Sequence, residues 1–169
     1  MEKAGDRLDI STYTGAVEQY GDMVFRLAFS YTRSRNDAED CCQNVFIKLF
    51  RREAAFTSED HMKAWLINAI RHECTDLFRS VWRKRVDLTE EMACFNAGED
   101  ASPEETGVLA QVLSLSALHR ECLILHYYEG YSLSEIARLL RTKESTVRVR
   151  LMRAREALKK ALAKAEYSL

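Results

Sequence analysis

This sequence of 169 residues predicts an all-α fold with two small helical domains. Apolar residues recur every three or four positions over most of the chain, which is the period of an amphipathic helix. A single Pro and six Gly leave few sites for tight turns. Charge is sorted along the chain, because an acidic stretch separates two basic segments although the net charge is −1.

The composition narrows the class of protein. Hydrophobic residues make up 47% of the chain, which is enough for a packed core. We find no apolar run of transmembrane length and no signal peptide, so we expect a cytoplasmic protein. The five cysteines are odd in number and lack C-x-x-C spacing, so neither a disulfide framework nor a zinc site is indicated. We expect no cofactor and no metal.

Three helices are predicted for an N-terminal domain over residues 1–86. The first carries an apolar face from Tyr13 to Tyr31, and Asn36 or Asp37 can cap the second. The third begins near His61 and continues into the basic segment Arg79 to Arg85. Residues 87–107 form an acidic linker, since Asp87 to Thr106 contains no Lys or Arg. Residues 108–169 form a C-terminal domain.

The C-terminal domain contains a predicted helix-turn-helix unit. Ser132 and Glu135 have the S-x-x-E spacing of a capping box at the start of a short helix. A connection of about three residues then leads to a second helix, and this is the plan of DNA-binding helix pairs. Val147, Leu151 and Ala154 mark the core side of that second helix.

The opposite side of the second helix combines apolar and cationic residues. Val149 and Met152 lie among arginines, where a merely solvated helix would favour Glu or Lys. Small or apolar side chains suit thymine methyl groups, and Arg suits guanine edges and phosphates. We therefore predict that this helix binds duplex DNA. The alternative is a basic helix that binds an acidic partner or a membrane. The predicted DNA-binding residues are Ser145, Thr146, Arg148, Val149, Arg150, Met152 and Arg153.

One ridge of the second N-terminal helix is predicted to bind another protein. It lies opposite the apolar stripe and presents an outward Ile among polar residues, which suits a protein contact with a polar rim. The alternative is an ordinary wet surface with one stray Ile. The ridge consists of Asp40, Gln43, Asn44, Ile47 and Arg51.

Three segments of the chain resemble the extracytoplasmic-function (ECF) sigma factors of bacterial RNA polymerase. They are "NDAEDCCQNVFIKLF", "MKAWLINAIRHECTDLFR" and "EGYSLSEIARLLRTKESTVRVRLMRAREALKKAL". The resemblance implies a sigma factor that binds core RNA polymerase, directs transcription initiation at specific promoters and assists strand opening. The ridge would contact the clamp helices of the largest polymerase subunit. The helix-turn-helix would contact the minus-thirty-five element, and an anti-sigma factor is a further expected partner.

The resemblance also assigns the downstream, minus-ten element to the N-terminal domain. A stripe on its third helix would contact this element, and Phe56 would stack on a base flipped from the opened strand. Phe56 as a buried anchor of its loop is the alternative. The predicted downstream residues are Phe56, Asn68, His72, Thr75, Arg79 and Arg83. The acidic linker would thread through basic channels of the polymerase, or it is a solvated tether.

Other functions fit the sequence less well. There is no phosphate-binding Gly loop and no nucleophile elbow, so an enzyme is not indicated. His119, Cys122 and His126 lie one helical turn apart and could bind a metal. We favour a structural interpretation of this spacing, in which Cys122 packs in the core and the two His lie on the surface. A dimeric DNA-binding regulator and a helical adaptor or anti-factor are the remaining hypotheses.

Overall fold

The computed structural model describes residues 8–83 and 108–166. Every regular element within these two ranges is a helix, so the predicted all-α fold is confirmed. We call residues 8–83 the N-terminal module and residues 108–166 the C-terminal module. The predicted linker over 87–107 and the boundary at residue 86 lie outside the described residues and remain predictions.

The N-terminal module consists of α1 (Ile10–Thr32), α2 (Arg35–Phe50) and α3 (Glu59–Arg83). The predicted cap of α2 at Asn36 or Asp37 is wrong. Ser34 precedes the helix in an extended conformation, and its side chain accepts a hydrogen bond from the Asp37 amide at 3.3 Å. Ser is a preferred cap because its short side chain satisfies a free amide of the first turn.

The three N-terminal helices share one core. Val24 of α1, Val45 and Leu49 of α2, and Leu66 and Ile70 of α3 are fully buried. This burial fixes the orientation of each helix, because the apolar stripe must face inward. The opposite faces of α2 and α3 are therefore turned toward solvent.

The C-terminal module consists of α4 (Val108–Leu113), α5 (Ala117–Leu123), a π-helical turn (Ile124–Tyr128), α6 (Leu133–Leu139) and α7 (Glu144–Glu166). The sequence predicts one helix from Ala117 to Gly130. Its last turn instead widens, and the Glu129 amide donates to the Ile124 carbonyl five residues back at 3.0 Å. Gly130 ends the turn at a φ of 74°, which glycine adopts without strain.

The predicted helix-turn-helix is confirmed in α6 and α7. The Ser132 side chain accepts from the Glu135 amide at 3.3 Å, and the Glu135 carboxylate accepts from the Ser132 amide at 2.8 Å. The hydrogen bond from the Ser132 amide lowers the pKa of the Glu135 carboxyl group. Val147, Leu151 and Ala154 of α7 are buried, as predicted.

Replacing Ser132 with Ala should lower the free energy of unfolding by about 1 kcal/mol, because an amide of the first turn of α6 loses its acceptor. Urea unfolding followed by circular dichroism measures this loss. Glu135→Gln is the matched control, since Gln also completes a capping box. It should cost less than Ser132→Ala, and the reverse order would contradict the role of the Ser132 oxygen.

Candidate nucleic-acid interface

The predicted recognition face of α7 is exposed. Val149 and Met152 are 39% and 50% exposed, and Arg153 lies beside them in solvent. The buried stripe of α7 holds the helix from the other side, so this apolar and cationic face is free to enter a groove. Arg148 is also exposed, and its guanidinium lies 3.0 Å from the Glu144 carboxylate. A phosphate that approaches Arg148 must compete with this exposed ion pair, which is a weak competitor.

Two of the predicted recognition residues are less exposed than the others. Ser145 is exposed, whereas Thr146 and Arg150 are half-buried. Arg150 lies close enough to Cys122 of α5 for its positive charge to act on that thiol. Burial raises the pKa of Cys122 to about 11, and the Arg150 contact opposes that rise. Arg150 is therefore partly enclosed within its own module, and its contact with DNA remains a prediction.

Only part of the predicted DNA-binding stripe on α3 is exposed to solvent. His72 and Arg79 are exposed, while Asn68 and Thr75 are half-buried. The Asn68 amide donates to the Ala64 carbonyl at 3.1 Å, and the Thr75 hydroxyl donates to the Arg71 carbonyl at 2.8 Å. Both side chains thus fold back on their own helix in this state. The side chain of Arg83 lies outside the described part of the structure.

Phe56 lies in the connection between α2 and α3 and is half-buried. Its ring centre is 5.8 Å from that of Trp65, in an edge-to-face arrangement, and the Arg52 guanidinium lies 4.5 Å from the Phe56 ring centre. His61 contacts the ring from another side, with the centres 5.2 Å apart. Phe56 is thus neither a fully buried anchor nor a free ring, and both sequence interpretations of it stay open.

All five residues of the predicted protein-binding ridge on α2 are exposed. Ile47, the apolar member, is 45% exposed. The Asn44 side-chain amide donates to the Glu73 carboxylate of α3 at 3.0 Å, so one end of the ridge is held against α3. The arrangement of an apolar centre with a polar rim is that of a protein-binding patch.

The sequence did not predict the contact between the two modules. Glu121 of α5 is 1% exposed and accepts hydrogen bonds from the Tyr31 hydroxyl of α1 and from the Arg71 guanidinium of α3, the latter at 2.9 Å. Burial raises the pKa of Glu121, and Arg71 opposes that rise. The neighbouring Arg120 is equally buried and donates to the Ser30 carbonyl of α1.

A second ion-pair group ties the modules at the π-helical turn. The Glu129 carboxylate lies 2.9 Å from the Arg26 guanidinium and 3.4 Å from the Lys63 ammonium group. Arg26 also covers the Tyr128 ring at 4.3 Å. Beside this contact, an apolar groove of about 1030 Å³ has walls from both modules, with Phe29 of α1 on one side and Leu158 of α7 on the other.

The metal alternative finds no support in the described residues, where no group of three or more His, Cys, Asp or Glu side chains could hold an ion. Cys122 is buried, and His126 Nδ1 lies 2.8 Å from the Tyr131 carbonyl. Cys41, Cys42, Cys74 and Cys122 are free thiols. None of the helices over residues 8–83 and 108–166 has the length and apolar character that a membrane span requires.

Two family profiles match the chain. Sigma-70 region 2 matches residues 16–84, and Sigma-70 region 4 matches residues 107–158. Together they cover more than half of the chain and correspond to the two modules. The chain therefore belongs to the sigma-70 family of RNA polymerase sigma factors.

The relatives identify the group within that family, the ECF sigma factors. The ECF RNA polymerase sigma factor SigE of Mycolicibacterium smegmatis is 30% identical over 97% of this chain and 66% of its own length. BldN of Streptomyces coelicolor, also an ECF sigma factor, is 30% identical over 86% of this chain and 58% of its own length. The chain thus spans less than two thirds of the length of these two relatives.

A solved structure shows the same fold. The sigma factor RpoE of Bartonella quintana, crystallised in complex with the anti-sigma factor NepR, aligns with a TM-score of 0.72 at 22% identity. The alignment covers 91% of this chain and 98% of RpoE. The likeness extends over both modules and supports the all-α fold.

Proposed function

We propose that this chain is a promoter-specificity subunit that binds core RNA polymerase and directs it to promoters with a matching pair of DNA elements. The observation that carries the proposal is the exposed face of α7, where Val149 and Met152 stand between Arg148 and Arg153 on a capped helix-turn-helix. In this proposal α7 enters the major groove of the minus-thirty-five element. Apolar side chains meet thymine methyl groups there, and the arginines meet guanine edges and phosphates.

The N-terminal module supplies the other two functions in this proposal. The ridge on α2 binds the clamp helices of the largest polymerase subunit. His72 and Arg79 on α3 contact the minus-ten element, with Asn68 and Thr75 joining if their side chains leave their own helix. The polymerase supplies all of the catalysis, and the sigma factor supplies recognition. We propose a cytoplasmic location on the same ground, because the polymerase and the promoter DNA are there.

An anti-sigma factor is the proposed regulator. A protein of this kind is bound to RpoE of Bartonella quintana, which shares the fold. Run-off transcription with purified core polymerase tests the central proposal. A promoter-dependent transcript that requires this chain supports it, and binding to DNA without binding to polymerase would favour a conventional regulator.

Arg153→Ala should weaken binding to the upstream element by about 1–3 kcal/mol and relax the sequence preference, because one contact to a base edge is lost. Arg148→Ala should act in the same direction. Competition binding against single-base variants of the element measures both effects. The control is Lys160→Ala, a loss of charge farther along α7, which should reduce the salt dependence without altering the preference. Unchanged preference in both arginine variants would refute the assignment of α7.

Asp40→Arg combined with Gln43→Ala should abolish association with core polymerase. Both side chains are exposed on the ridge, so the helical signal and the melting temperature should stay nearly unchanged. Co-elution on size-exclusion chromatography measures the association. Glu18→Arg, a charge reversal on the exposed face of α1, is the control and should bind normally. Normal co-elution of the double variant would show that the ridge is only a solvated surface.

Phe56→Ala should spare binding to closed duplex promoter and impair open-complex formation, because the ring that stacks on an extruded base is lost. Permanganate footprinting detects the opened strand, and a thermal melt run beside it detects loss of packing against Trp65. Phe56→Tyr keeps an aromatic ring and should open promoters. Normal opening by Phe56→Ala with a lowered melting temperature would assign Phe56 to loop packing alone.

A further inference from the structure

One carboxylate of α3 holds two side chains on the exposed face of α2. Glu73 Oε1 accepts a hydrogen bond from the Asn44 side-chain amide at 3.0 Å, and Glu73 Oε2 lies 2.5 Å from the Lys48 ammonium group. Each oxygen of the carboxylate thus has its own partner on α2. Asn44 belongs to the ridge, and Lys48 directly follows Ile47, the apolar member of the ridge. We call Asn44, Lys48 and Glu73 the ridge bracket.

The packing of α2 against α3 explains why the three side chains of the ridge bracket meet. Asn44 and Lys48 are four residues apart, so they lie on one face of α2, one turn from each other. Each of them is followed by a fully buried residue, which places both at the edge of the apolar stripe of α2. Glu73 is likewise followed by the fully buried Cys74 of α3. Two neighbouring helix edges therefore bring two donors to one acceptor.

The ridge bracket is more accessible on its α2 side. The Lys48 side chain is 54% exposed and Asn44 is also exposed, whereas the Glu73 side chain is 16% exposed. A protein that docks on the ridge therefore reaches the two donors more easily than the carboxylate behind them. An exposed ion pair adds little to the stability of a fold. The main effect of Glu73 is thus on the orientation of Asn44 and Lys48.

Orienting a side chain before binding strengthens association. Each flexible side chain that becomes fixed in an interface costs conformational entropy, and a side chain that is already held avoids part of that cost. A hydrogen bond to a carboxylate is stronger than one between neutral groups. Glu73 is therefore well suited to hold Asn44 and Lys48 in a single arrangement in the free chain.

We propose that Glu73 is a positioning residue for polymerase binding, which fixes Asn44 and Lys48 in the orientation that the polymerase recognises. The inference rests on the proposed function, because the ridge is the proposed polymerase contact. It adds Lys48 to the surface that binds polymerase. It also gives α3 a part in polymerase binding, although Glu73 acts through two side chains of α2 and needs no contact with the polymerase.

Glu73→Ala in the full chain is the direct test. It should weaken binding to core polymerase about three- to tenfold, because both donors must then be ordered during association. Titration of a fluorescently labelled chain with core polymerase measures the dissociation constant. Glu73→Gln keeps an acceptor for Asn44 and should bind more tightly than Glu73→Ala. Asp76→Ala removes the same charge from an exposed position on α3 and should bind normally.

A double-mutant cycle separates positioning from direct contact. The double variant Asn44→Ala with Lys48→Ala lacks both side chains that Glu73 orients. Adding Glu73→Ala to it should change the affinity by less than about twofold. A direct contact between Glu73 and the polymerase would instead give the same loss in both backgrounds. Circular dichroism and a thermal melt of each variant should show an intact fold, whereas a purely structural role would lower the melting temperature.

The other outcomes overturn the inference. Normal binding by Glu73→Ala, an equal loss in Asp76→Ala, or a loss that persists without Asn44 and Lys48 would each show that Glu73 does not position them for the polymerase. A Glu73→Gln variant no better than Glu73→Ala, or a loss that follows a lowered melting temperature, would have the same meaning. Failure of the proposed function looks different, because the wild-type chain itself would then not bind polymerase.

Discussion

The burial of two adjacent charges on α5 is the constraint on which the arrangement of the molecule depends. Arg120 and Glu121 are each 1% exposed, and their partners include Ser30, Tyr31 and Arg71 from the N-terminal module. Removing one partner of such a buried pair typically costs about 3–5 kcal/mol, although the intact pair contributes little net stability. The contact therefore specifies one arrangement of the modules more strongly than it stabilises that arrangement.

Helix α5 contacts both the N-terminal module and α7. Arg120 also donates to the Leu113 carbonyl at 2.9 Å, so it closes the connection between α4 and α5 within its own module. Helix α5 packs against α7 within its own module, while Glu121 faces the other module. The module contact and the support of the recognition helix therefore involve adjacent residues of one helix. The exposed side of α7 is left unaltered, because it points away from both contacts.

Local features of the fold could be predicted from the sequence, because they depend on residues close together in the chain. The capping box at Ser132, the buried stripe of α7 and the exposed ridge on α2 all follow from spacing within one helix. The cap at Ser34 was missed because three cap-forming residues stand near the start of α2. The π-helical turn was missed because periodicity does not reveal a single widened turn.

The module contact could not be predicted for a different physical reason. Charged residues are almost never fully buried unless they are paired, so the segment "HRECLIL" favours an exposed Arg and Glu. Tyr31 is 90 residues away from Glu121, and no spacing rule connects them. The one available signal was that Arg120 and Glu121 interrupt a helix that otherwise needs a buried face. The surroundings of Phe56 were also not predictable, because Arg52, His61 and Trp65 come together around its ring only in the folded loop.

The module contact is divided by sign of charge. Glu121 and Glu129 present carboxylates to Arg26, Lys63 and Arg71, and Arg71 is the residue directly before His72 on α3. Each of these cations is thus paired within the chain with a carboxylate of the C-terminal module. Cations without partners attract phosphate, and their neutralisation by DNA releases counterions. Arg71, the residue next to His72, therefore already has a carboxylate partner in the position where a nucleic acid would offer a phosphate.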